Sequence, residues 1–158
     1  MPDGGYAAGL PRKRVAAGVL FRSADGRVLL VEPSYKPNWE LPGGVVEADE
    51  APWDGAVREL GEELGTDRPV GRLLVVDHVR GYDGRPDGMN FVFDGGVLDD
   101  ADVAGFVFRD GEILSAGLYT LEQARGLGKP MLAERLSAAL AAVREGSVAL
   151  CRDGVRIS

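Results

Sequence analysis

Between Gly43 and Thr66 the chain reads GGVVEADEAPWDGAVRELGEELGT, a double glycine leading into a helix-forming stretch that crowds acidic side chains around one arginine. Pro52 suits a first helical turn, where its missing N–H is no loss, and Gly65 suits the residue just past a helix end. The spacing therefore predicts a helix from Pro52 to Leu64. At about 100° per residue, Trp53, Val57, Leu60 and Leu64 fall on one stripe that is expected to pack. Glu59, Glu62 and Glu63 fall roughly opposite and are expected to face outward. Gly55 and Gly61 each weaken such a helix by up to about 1 kcal/mol relative to alanine, so tertiary packing must hold it.

Glu59, Glu62 and Glu63 stand at i, i+3 and i+4, where helical side chains are neighbours and like charges repel. A bound dication reverses the sign of that interaction. Arg58, adjacent to Glu59 and four residues before Glu62, is placed to orient part of the cluster by charge-assisted hydrogen bonds. Only oxygen donors are at hand, which selects Mg²⁺ or Mn²⁺ over Zn²⁺. A bare E-x-x-E-E is most simply a solvated charged face. What argues against that reading here is the company of Gly44, Glu50, Arg58 and Gly65 at fixed intervals. A carboxylate-held Mg²⁺ binds phosphate oxygens and activates water for displacement at phosphorus, so hydrolysis of a phosphoanhydride is the chemistry to expect.

Written as a pattern, the stretch is G-x5-E-x7-R-E-L-x-E-E-x-G, which resembles the signature of the Nudix hydrolases. Eight of its nine specified positions match, and Thr66 stands where an aliphatic residue is usual. The resemblance implies a substrate in which a nucleoside diphosphate is linked to another moiety. It implies Glu62 and Glu63 as metal ligands, Glu59 as ligand or water-orienting base, and the Gly43 carbonyl completing the shell. Gly44 and Glu50 then support these groups, and Arg58 belongs to the catalytic set. Many relatives add an acid from a loop ahead of a later strand. Glu112 is nominated for that place, with Asp83, Asp87 and Asp110 as competitors, because Leu118 stands where relatives commonly carry a tryptophan. Many relatives pair as homodimers, which no residue here decides.

Length and charge set the frame. At 158 residues with 45% hydrophobic content, the chain supports one sizeable core and is too short for two ordinary domains. A net charge of −7 argues against affinity for nucleic acid polymers or acidic membranes, so a phosphate substrate must be held locally. A single cysteine, Cys151, excludes an internal disulfide, and no apolar run approaches a membrane span. A cytoplasmic location is the expectation.

Residues 1–13, rich in glycine and proline at the start, are expected to form a flexible tail, with one domain over 14–158. Strands are expected at 15–21 and 27–31 around the turn Ala24-Asp25-Gly26, at 39–42, 72–79, 89–97, 106–108 and 113–121. A second amphipathic helix is read over 130–145 and a closing hairpin around Asp153-Gly154. This order resembles the Nudix α/β/α sandwich, an α/β fold with a mixed sheet between helices.

Specificity is less constrained. Arg80, Arg85 and Lys36 suit phosphate or ribose contacts, and Trp39, Tyr35 or Phe91 suit stacking on a base. Core or plain surface is the simpler reading of each. Tyr82 lies where some dinucleoside polyphosphate-cleaving relatives carry a tyrosine, although a tyrosine in a Gly/Asp loop is commonplace. His78, the only histidine, alternates with apolar neighbours and reads as structural. The leading expectation is a metal-dependent pyrophosphohydrolase; the alternative is a catalytically weak nucleotide-binding sensor or interaction module on the same fold.

Overall fold

The structure, a computed structural model, describes residues 4–158; Met1 to Asp3, part of the expected tail, lie outside the described residues. A short exposed helix, α1 (Gly4–Gly9), precedes the sheet. The strands are β1 (Arg14–Arg22), β2 (Val28–Pro33), β3 (Gly43–Val45), β4 (Leu73–Val79), β5 (Gly88–Val97), β6 (Ile113–Tyr119), β7 (Ala149–Arg152) and β8 (Val155–Arg156). Their order across the sheet is β6-β2-β1-β5-β4-β7-β8, with β3 paired to β1 off that path. The sheet is mixed: β1 runs parallel to β5 and β4 to β7, while the other pairs are antiparallel.

One feature of this topology positions the site. β1 changes partner along its length, since Arg22 faces Val28 of β2 while Ala16, Ala17 and Gly18 face Val45, Gly44 and Gly43 of β3. The sheet therefore forks at β1. The two faces of the sheet carry separate cores, as strand alternation requires. Val19, Phe21, Leu29 and Val31 pack with Leu60 and Leu64 of helix α2 (Pro52–Leu64). On the other face Leu20, Val28, Leu30 and Val92 pack with Leu132, Leu136 and Ala139 of the long C-terminal helix (Pro130–Glu145). The architecture is the expected α/β/α sandwich, and both long helices span the expected residues.

Besides α1, which falls within the stretch read as a tail, two helices and two strand assignments depart from the sequence reading. Residues 106–108 are not a strand; the chain instead forms α3 (Asp100–Ala104), started by a reciprocal capping box between Asp99 and Asp102. β6 stops at Tyr119 because Thr120 and Gln123 form a second capping box that begins α4 (Leu121–Leu127), so the C-terminal helix is α5. Residues 39–42 contribute only an isolated bridge, Glu40 to Val31, and the short strand falls on Gly43–Val45 instead.

The packing face of α2 also differs. Trp53 and Val57 are exposed, whereas Ala56, Leu60, Glu63 and Leu64 are buried. The buried arc is thus rotated by about 60° from the apolar stripe, toward the acidic flank. Glycines at 43 and 44 leave β3 without side chains there, and the glutamates settle against bare backbone. Leu60→Ala should therefore lower stability by about 2–5 kcal/mol, and Trp53→Ser should change it by less than about 1 kcal/mol. Urea denaturation of the two variants checks this, and a larger loss at Trp53 would contradict the rotation.

Candidate active site

Glu63 is 5% exposed and lies against the start of β3, where the Gly43 N–H donates to its Oε1 at 2.6 Å. No basic side chain among the described residues pairs with it. Burial is the main reason its carboxyl is pushed up to about 8; the Gly43 hydrogen bond works the other way, and the charges of Glu59, Glu40 and Glu112 add to the rise. Glu59, one turn earlier, is raised chiefly by burial as well, opposed by Arg58 and reinforced by Glu62 and Glu112.

The two glycines make this approach sterically feasible. Gly43 has φ +146°, and a Cβ there would collide with the Ala17 carbonyl oxygen of β1. A Cβ on Gly44 would lie 2.6 Å from Glu59 Oε1. Gly43 accepts hydrogen alone, because backbone blocks it, whereas a side chain at position 44 would displace the Glu59 carboxylate.

Arg58 is the hub of the rest. Its Nε and Nη2 donate to the two oxygens of Glu50 at 2.8 and 3.0 Å, and Nη2 also reaches the Val45 carbonyl at 3.1 Å. This bidentate clamp holds Glu50 down at about 2. Nη1 is left to donate to Glu59 Oε1 at 3.0 Å and to Glu62 at 3.2 and 3.3 Å. Glu50 thus anchors the arginine that orients Glu59. Contrary to expectation, the helix acids do not share an outward face: Glu63 is buried, the Glu59 side chain is 13% exposed, and Glu62 is half exposed.

Among the described residues no three acids stand in a preformed metal cage. Arg58 occupies that role for Glu59 and Glu62. Glu63, by contrast, is a buried carboxylate with one hydrogen bond and no counter-charge, and every donor nearby is oxygen. The chemistry of these donors fits a hard dication: Glu63 and Glu59 point inward, and Glu62 stands at the solvent edge, held by Arg58.

Of the nominated loop acids, Glu112 is the one whose charge acts on both Glu59 and Glu63. Asp110 accepts the Glu112 backbone N–H at 3.1 Å, Asp83 sits at an exposed loop tip with φ +49°, and Asp87 is engaged by Lys13 and by His78 at 2.7 Å. His78 therefore has a structural partner. Arg80 is paired with Asp153 at 2.6 Å. Tyr35 is exposed; partial desolvation of its hydroxyl, and then the charges of Glu40, Glu63, Glu112 and Glu59, raise its pKa. Lys36, Trp39, Tyr82, Arg85 and Phe91 border a cavity that also touches Gly43 and Gly44. Sequence reasoning missed Glu40, whose charge reaches Glu63, and the cavity residues Arg14, Lys129 and Arg135. For Arg14 a signal exists: it alternates with small Ala16 and Gly18 on one strand face.

A family model described as NUDIX domain matches residues 12–144, which span the fork, the acidic helix and most of α5. The chain belongs to the Nudix hydrolase family. It is 51% identical over 60 residues to a MutT-like protein of Streptomyces ambofaciens, covering 38% of each chain. It is 40% identical over 73 residues to an RNA pyrophosphohydrolase of Gluconacetobacter diazotrophicus, covering 40% of this chain and 43% of that one. The chain thus spans about two fifths of the length of these curated relatives. Among solved structures, the MutT protein of Methanosarcina mazei Go1 superposes with a TM-score of 0.66 at 25% identity, over 86% of this chain and 96% of that one.

The perturbed Glu63 carries a pH signature. In protein held free of metal by a chelator, its folded pKa of about 8 lies above its ordinary value of 4.5, so the folded state binds the extra proton between these limits. Stability should be highest at the acid end of this window and fall as pH rises through it, by on the order of a few kcal/mol. Thermal unfolding of parent and Glu63→Gln across that range checks the effect: the variant should lose most of the slope, and an unchanged slope would contradict the assignment.

Proposed function

We propose that this Nudix domain is a Mg²⁺- or Mn²⁺-dependent pyrophosphohydrolase acting on a nucleoside diphosphate linked to another moiety. The observation that carries the reading is Glu63, a buried carboxylate beside Glu59 with no basic partner. Burying such a charge is expensive unless a cation compensates it. Family membership and the names of the sequence relatives support the same chemistry. Glu63, Glu59 and Glu62, with the Gly43 carbonyl and Glu112 from the facing loop, would hold the metal. When bound, it would neutralise diphosphate charge and acidify a water molecule.

The remaining work falls to side chains. The Gly43 N–H fixes one oxygen of Glu63 and leaves the other without a protein donor. Glu50, clamped on Arg58, sets the guanidinium that orients Glu59. Burial raises the basicity of Glu59, which, if it does not itself bind the metal, suits it to receive the proton of the attacking water. The water oxygen bonds to phosphorus as the bridging P–O bond breaks, and the bridging oxygen leaves with the departing phosphate. The products are a nucleoside monophosphate and the phosphorylated partner group. A cytoplasmic setting belongs to this reading. Among the described residues no helix is long and apolar enough to cross a membrane.

Glu63→Gln should lower turnover by about 10²-fold or more, with thermal stability at neutral pH kept or raised. Phosphatase-coupled phosphate release from a panel of nucleoside diphosphate derivatives, with Mg²⁺ and with chelator, measures this. Parental turnover in the variant, or full activity under chelation, would refute the reading. Absence of any hydrolysis by the metal-loaded parent would favour a binding module instead.

A further inference from the structure

The two long helices cover the sheet unequally. α5 packs on β4, β7 and β8, and its core takes in Val75, Ala149 and Cys151. On the other face α2 reaches β1, β3 and β5, and no helix among the described residues packs across β4, β7 and β8. That half of the sheet is one layer short.

Register tells which side chains are left there. Phe91, which packs against the α2 core, lies opposite Val76 on β4, and Val76 lies opposite Leu150 on β7; directly opposed residues share a face. Arg152 pairs with Val155, and alternation along the strand adds Ile157 to the same side. A strand face left to water carries polar residues. Here Leu150, Val155 and Ile157 are 45%, 52% and 60% exposed, and the exposed charge beside them is Arg152.

α2 presents a second apolar surface toward the same side. At about 100° per residue, Arg58 and Glu62 fall on one flank of the helix and Trp53 and Val57 on the other. The first flank faces β3, where Arg58 reaches the Val45 carbonyl. Since β2 and β3 share one edge of β1 and β5 holds the other, the second flank looks along the sheet toward β5 and β4. Trp53 on that flank is 59% exposed, and Asp54 beside it is exposed too. Neither Asp54 nor Arg152 forms an ion pair with any described residue. A helix with its side chains is about 10 Å thick, so this side of the molecule is a step, high at α2 and low over β4, β7 and β8.

We infer that a second copy of this chain fills the step, in a two-fold dimer where α2 of each copy lies on the β4-β7-β8 face of the other. Both surfaces lie on one side of the sheet, so a single two-fold axis buries each of them twice and the assembly closes. Trp53 and Val57 of one copy meet Leu150, Val155 and Ile157 of the other, and Asp54 faces Arg152. Charge decides against the two alternatives: helix on helix would bring Asp54 and Glu62 of both copies together, and sheet on sheet would oppose Arg152 to itself. The apolar side chains concerned expose on the order of 500 Å² per chain, which with a polar rim approaches the roughly 800 Å² that each partner gives to a standard interface. The acidic flank of α2, turned to β3, stays open.

Sedimentation equilibrium between about 1 and 500 µM tests this, and the parent should pass from monomer to dimer with a Kd of about 10–100 µM. Trp53→Ser and Ile157→Asp, both at exposed positions, should each raise Kd by about tenfold or more. Asp54→Arg and Arg152→Asp should each raise it about fivefold, and Asp54→Arg/Arg152→Asp should recover most of the loss, because the exchanged charges still face one another. Thermal unfolding at about 1 µM, where the parent is monomeric, shows that the variants are folded, and urea denaturation of dilute Trp53→Ser reads the monomer alone. A parent that stays monomeric throughout, a dimer indifferent to Trp53→Ser and Ile157→Asp, or a charge exchange that recovers nothing would overturn the inference.

Discussion

Glu63 lies on the inner flank of α2 with one oxygen tied to the Gly43 N–H and no basic side chain among the described residues paired with it. Around it the acids of one helix divide into those that Arg58 can satisfy and the one it cannot. Glu50 takes both arms of the guanidinium, Glu59 and Glu62 share what remains, and Glu63 receives only the backbone donor. A folded chain tolerates such a group by protonating it or by recruiting positive charge from outside. The geometry holds both options open, which is the behaviour expected of a site that takes up and releases a dication.

The sheet makes that placement feasible. Because β1 leaves β2 after one paired residue and accepts β3 instead, the double glycine is delivered as strand edge rather than as loop, and its N–H points at the helix. The same fork opens the opposite face of β1, where Arg14, Ala16 and Gly18 look into the cationic cavity. Gly43 and Gly44 thus border both the acid cluster and the cavity, and β1 carries the small residues that separate the two.

Local signals in the sequence carried far in α2. Proline at its start and glycine past its end marked both boundaries, and the intervals among Gly44, Glu50, Arg58 and the three glutamates marked the site. What they could not convey was which side of the helix turns inward. Periodicity weighs hydrophobicity, so it favoured Trp53 and Val57; the absence of side chains on Gly43 and Gly44, a property of the facing strand, decided for Glu63 instead. Two of the short helices inside the domain were missed for a different reason. α3 and α4 are set by side-chain capping boxes, Asp99 with Asp102 and Thr120 with Gln123, which a search for apolar periodicity passes over. Of the cavity's cations, Lys36 and Arg85 were legible as candidates for phosphate contacts, whereas Arg14 and Lys129 come from distant parts of the chain and join them only when the sheet forms.

The central claim is that a dication completes the Glu63 environment, and electron paramagnetic resonance of Mn²⁺ reads it without reference to any substrate. Titrated with the parent chain near neutral pH, the free-ion spectrum should be quenched in proportion to protein, and a Glu59→Gln/Glu63→Gln variant should leave it standing. A free-ion signal undiminished by the folded parent at millimolar metal would contradict the account.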